Sequence, residues 1–67
     1  MTNIGEKSRF LSVYANLSLD LRKEIILIIE EGEEEKPITW NVAFNEISNE
    51  TKLGKKILKK IIELELI

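Results

Sequence analysis

Five lysines crowd the last third of the chain, at Lys52, Lys55, Lys56, Lys59 and Lys60. Steps of three and one are the spacing of a single α-helical face, since each residue turns the helix by about 100°. Ammonium groups held together in water suit one chemistry above others. They neutralise phosphates, and each contact releases condensed counterions from a polyanion. Asn49 and Thr51, with Glu50 between them, precede the lysines and are further candidates for phosphate or base-edge contacts. Other chemistries find no matching residues. Histidine and cysteine are absent, so serine and aspartate lack the usual activating base, and no glycine-rich phosphate loop occurs. The expectation is a protein that is not an enzyme and uses no cofactor or metal. Glu30, Glu31, Glu33, Glu34 and Glu35 lack the spaced oxygen ligands and the loop glycine of a calcium loop, and read as a solvated turn. Trp40 and Phe44 can stack on bases, but with Ala43 and Ile47 they recur at helical spacing and read as core, as do Phe10 and Tyr14. The lysines also have a plainer reading, as the solvent coat that any amphipathic helix needs.

The elements that must position these residues read as helices. Lys7 to Leu17 spaces Phe10, Val13, Tyr14 and Leu17 as a helix would. From Leu19 to Glu31 the chain predicts a nearly all-apolar helix, with Ser18 as N-cap, Asp20 in the first turn and Gly32 taking positive φ at its end. Glu33 to Lys36 with Pro37 then forms a charged connection. A two-turn helix follows Thr39 as N-cap, and Ser48 to Thr51 interrupt it with residues that favour caps and turns. The last helix, Lys52 to Leu64, places Leu53, Gly54, Ile57, Leu58, Ile61, Ile62 and Leu64 on one half of its wheel and the lysines on the other. Gly54 costs roughly 1 kcal/mol of helix propensity relative to alanine, which suggests close approach of another helix or a helix start. The fold expected is all-α, a small three- to four-helix bundle of the helix-turn-helix kind. It forms one domain over residues 1–67, with 1–6 frayed.

Composition sets the bounds. A chain of 67 residues buries about 60% of the surface it exposes when unfolded, so packing alone, or packing with dimerisation, must hold it. Hydrophobic residues at 43% and charged residues at 33% suit a folded globule. The net charge of −2 hides a polarity, because residues 1–35 sum to −4 and residues 36–67 to +2. The longest apolar run, Ile25 to Ile29, is too short to cross a bilayer, and no secretory leader opens the chain, so a cytoplasmic location is expected. A membrane role ranks last, because the apolar side of the basic helix is needed for the core. No small-molecule substrate is inferred.

A short helix, a polar turn and an amphipathic helix with a basic outer face are the parts needed to set one helix in a major groove about 12 Å wide. Leu58-Lys59-Lys60-Ile61-Ile62-Glu63-Leu64-Glu65-Leu66-Ile67 resembles the end of the recognition helix in winged helix-turn-helix regulators. Pro37-Ile38-Thr39-Trp40 and Ala43-Phe44-Asn45-Glu46-Ile47 resemble the extended stretch and second helix of that family. The similarity covers Leu17 to Ile67. It implies a DNA-binding domain of a transcriptional regulator on duplex DNA. One short helix with lysines gives little affinity or site length alone, so a homodimer is expected, joined through the N-terminal segment or the apolar tail Leu64, Leu66 and Ile67. Three departures stand out. Glu65 occupies the place of the family's exit glycine, no wing is expected after Ile67, and the last helix lacks the arginine that makes the commonest contact to guanine. The alternative is a non-catalytic protein-interaction module on the same scaffold, engaging a partner through the acidic stretch near Glu33 or the apolar C-terminus.

Overall fold

The computed structural model describes residues 3 to 67, with side-chain surroundings from Gly5 onward. It contains three α-helices, α1 (Asn3–Ala15), α2 (Trp40–Ser48) and α3 (Lys52–Glu63), and an antiparallel sheet of two strands, β1 (Ile25–Glu31) and β2 (Glu34–Thr39). One 3-10 turn at Leu21–Lys23 leads from α1 to β1. The fold is α+β, which corrects the all-α expectation. The helix expected over Leu19 to Glu31 does not form. The Ser18 hydroxyl accepts from the Leu21 N–H at 3.2 Å, but the short turn that follows has Asp20 at its N-cap with no side-chain capping bond, so the Ser18 N-cap expected for a long helix is not found.

The reason lies in residue type and in Gly32. Four of the five residues from Ile25 to Ile29 are isoleucine, whose branched β-carbon loses rotamer freedom in a helix and packs well on a pleated surface. Gly32 has the positive φ expected of it, +62°, but as the first residue of a two-residue hairpin loop with Glu33. A glycine at that position turns the chain with a twist that matches the two strands. The charged connection expected over Glu33 to Pro37 is therefore mostly strand β2, and Pro37 sits opposite Ile28. A bulge at Ile26 turns both Ile26 and Leu27 toward the core and leaves Ile25 out.

Phe10, Leu27, Ile29, Ile38, Ala43, Ile47, Ile57, Leu58 and Ile61 form the buried core. Each large apolar side chain buried there contributes about 1.5–3 kcal/mol. Beside it runs an aromatic stack, with Phe10 5.9 Å from Trp40 and Tyr14 4.3 Å from Phe44 between ring centres. The Tyr14 hydroxyl donates to Asn41 Oδ1 at 2.6 Å. Arg22 lies over the Tyr14 ring at 4.4 Å and donates to the Tyr14 and Ala15 carbonyls, supplying the cation that the last turn of α1 lacks. Helical backbone reaches back to Asn3, into the segment expected to fray, of which Met1 and Thr2 lie outside the described residues.

Candidate nucleic-acid interface

Two threonines start the helices that matter here. Thr39 accepts from the Val42 N–H at 3.1 Å to begin α2, and Thr51 accepts from the Gly54 N–H at 2.9 Å to begin α3. Thr39 is the cap expected, and Thr51 falls within the Ser48 to Thr51 stretch expected to favour caps and turns; a threonine oxygen at this position satisfies an otherwise unpaired helix N–H. Between the helices, Asn49, Glu50 and Thr51 make a tight turn. Glu50 takes φ +53°, while the Thr51 N–H donates to Glu46 O and the Glu50 N–H to Ile47 O. Those two bonds are a Schellman closure of α2. The same closure ends α3, where Glu65 takes φ +55° and the Leu66 and Glu65 N–H groups reach Ile61 O and Ile62 O.

The helices meet at Gly54. A Cβ there would overlap the Glu46 carbonyl and come within 2.9 Å of the Ile47 nitrogen, and Gly54 is also the third residue of α3, so close approach and a nearby helix start are both observed. The Thr51 hydroxyl, which also donates to Glu46 Oε1 at 2.5 Å, ties the same two helices together. The α2–α3 angle is thus set by backbone contact and a shared polar bridge.

On this support Lys52, Lys55, Lys56, Lys59 and Lys60 are all exposed, and at 100° per residue they cover an arc of about 140°. Among the described residues the ion pairs are Lys7–Glu50 at 3.7 Å and Lys36–Glu31 at 3.5 Å, and neither involves these five. Asn49 is exposed and donates through Nδ2 to Asn45 O at 2.8 Å. The Thr51 hydroxyl is occupied by its capping and bridging bonds.

Two hollows flank the face. A crevice of about 380 Å³ separates Lys56, Lys59 and Lys60 from Ile28, Ile29 and Glu30 of β1. A larger groove, about 760 Å³, runs between α1 and α3 over Leu11, Ile47, Leu58 and Ile62, with Lys55 and Lys59 on its rim. The neighbours from β1 were not readable in the sequence. They reach the basic helix because Ile25–Glu31 is a strand in a hairpin, and a helix at that place puts Glu30 elsewhere. Among the described residues, the hairpin carboxylates do not gather into a group able to hold a metal ion. No helix of the described chain is long and apolar enough to cross a membrane. Set against models of known protein families, curated proteins and solved structures, the chain matches none.

Proposed function

We propose that this is a small, non-catalytic, cytoplasmic DNA-binding protein, a transcriptional regulator in role, that lays the lysine face of α3 on duplex DNA. One observation carries the reading: five exposed lysines on one arc of one helix, none in an ion pair among the described residues. A helix held to its predecessor through a three-residue turn and a glycine contact is the mounting that a groove-binding helix uses. Lysine without arginine favours phosphate contacts over base reading, so weak sequence preference is part of the proposal.

The test is an anisotropy titration with random-sequence duplex at two salt concentrations. Five phosphate contacts give a log–log salt slope of about −4 to −5. Lys55→Glu with Lys56→Glu abolishes binding while the circular dichroism spectrum is unchanged. Equal binding by that variant, or no binding by the parent at low salt, rejects the reading.

A second reading, a protein-interaction module, is favoured by the groove between α1 and α3. Its floor is apolar and its rim holds three lysines and three glutamates, a balance that offers a polyanion little. On that reading duplex binding is negligible at physiological salt.

A further inference from the structure

Glu63 is the one carboxylate of α3, and it stands inside the lysine face. At about 100° per residue, Lys55 and Lys60 mark the two edges of the arc and Glu63 falls about 10° from its middle. The hollows agree with that placement, since Glu63 lines both the groove toward α1 and the crevice toward β1. It is exposed, and among the described residues it has no ion pair and no side-chain hydrogen bond.

Helix stability does not explain a glutamate there. It is the last residue of α3, where the negative end of the helix dipole disfavours a carboxylate. Lys59 precedes it by four residues, the weaker order for an i,i+4 pair. Phosphate contact does not explain it either, because a carboxylate amid five ammonium groups repels the phosphates that they attract.

We infer that Glu63 is the base-reading residue of this face, accepting a hydrogen bond from the N4 amino group of a cytosine, an inference that rests on duplex binding as proposed above. With α3 in a groove about 12 Å wide, the edges of the arc, Lys55 and Lys60, face the phosphate walls and its middle faces the floor. An ionised carboxylate only accepts, so its partner is an amino group. The floor of the major groove offers two kinds, N4 of cytosine and N6 of adenine. Adenine N6 lies between two acceptors, its own N7 and thymine O4, whose lone pairs repel a carboxylate. Cytosine N4 has an acceptor on one side alone, guanine O6, and is the better partner. One such contact is in keeping with a face that otherwise holds phosphates and has weak sequence preference.

Anisotropy titrations of the full chain at low salt, with two duplexes of equal length, one alternating G and C and the other alternating A and T, are the test. The parent is expected to favour the G·C duplex, and Glu63→Ala to lower that preference by about threefold to tenfold with the circular dichroism spectrum unchanged. Groove shape enters parent and variant alike, so the change in the ratio of affinities reports on the contact. Glu63→Gln is expected to turn the preference toward the A·T duplex, because a glutamine amide pairs with both N6 and N7 of adenine. Removing a negative charge tightens binding to both duplexes in either case. A ratio that stays constant while both affinities rise makes Glu63 a repelling charge only, and overturns the inference with duplex binding intact. A parent that binds neither duplex fails the proposed function itself, and the base contact falls with it.

Discussion

Glutamate is a costly choice where the backbone turns left-handed, because its Cβ crowds the following carbonyl by roughly 1–2 kcal/mol. Glu65 bears that cost at φ +55° with no ion pair among the described residues to offset it. Glu65→Gly should therefore raise stability by about 1 kcal/mol, read as a higher urea midpoint at constant slope. An unchanged midpoint removes the strain argument. Glu50 has the same conformation but also meets Lys7 at 3.7 Å, so Glu50→Gly should gain less, by the ~0–1 kcal/mol an exposed pair is worth. Gly54 poses the reverse case. Alanine improves helix propensity by about 1 kcal/mol, yet its methyl group would meet backbone atoms of Glu46 and Ile47 that cannot step aside without separating the helices. The packing loss wins, and Gly54→Ala should cost a net of about 1–3 kcal/mol. A variant as stable as the parent in urea would mean that α2 and α3 do not touch there.

At the scale of elements, the hairpin carries the largest mismatch between what the sequence suggests and what forms. The helices α2 and α3 were legible because Thr39 marks the start of the first, cap- and turn-forming residues from Ser48 to Thr51 precede the second, and their apolar residues recur at one period. The lysine face was legible for the same reason. β1 was not, because five consecutive apolar residues satisfy a helical and a strand period equally, and the decision passes to β-branching and to the partner strand. That partner hides itself. In β2, Ile38 and Thr39 are the residues of strand-forming type, and the rest is acid, lysine and proline. Its register comes from the Gly32 loop and from burial of Ile38 opposite Leu27, a tertiary contact. The same register places Glu30 opposite Glu35 and Glu31 opposite Glu34. Like charges so placed destabilise a pair, and Glu35→Lys should replace repulsion with attraction for a gain of about 0.5–1 kcal/mol. Thermal melts at low salt would register it. A lower melting temperature would show that Glu30 and Glu35 are not neighbours.

The whole molecule is an electrostatic dipole, with five glutamates and one lysine over residues 30 to 36 and five lysines and one glutamate over residues 52 to 63. The crevice beside α3 shows the two poles to be close, since Glu30 lines it together with Lys56, Lys59 and Lys60. A duplex docked on α3 thus meets attraction from the helix and repulsion from the hairpin, both acting over a Debye length of about 10 Å at 0.1 M salt. The two effects differ in kind. Lysine contacts displace counterions and set the salt slope, whereas the hairpin glutamates make no phosphate contact and act through a field that salt screens. Replacing Glu33, Glu34 and Glu35 together by glutamine should therefore tighten duplex binding severalfold at about 50 mM salt, with most of the gain gone by about 200 mM. The same substitution leaves the lysine face and both helix caps untouched, so a change in affinity reports on charge alone. Equal affinities of parent and variant at both salt concentrations would place the bound duplex away from the hairpin, on the side of α3 that faces α1. In that pose the rim lysines Lys55 and Lys59 carry the contact, and Lys56 and Lys60 lose their part in it.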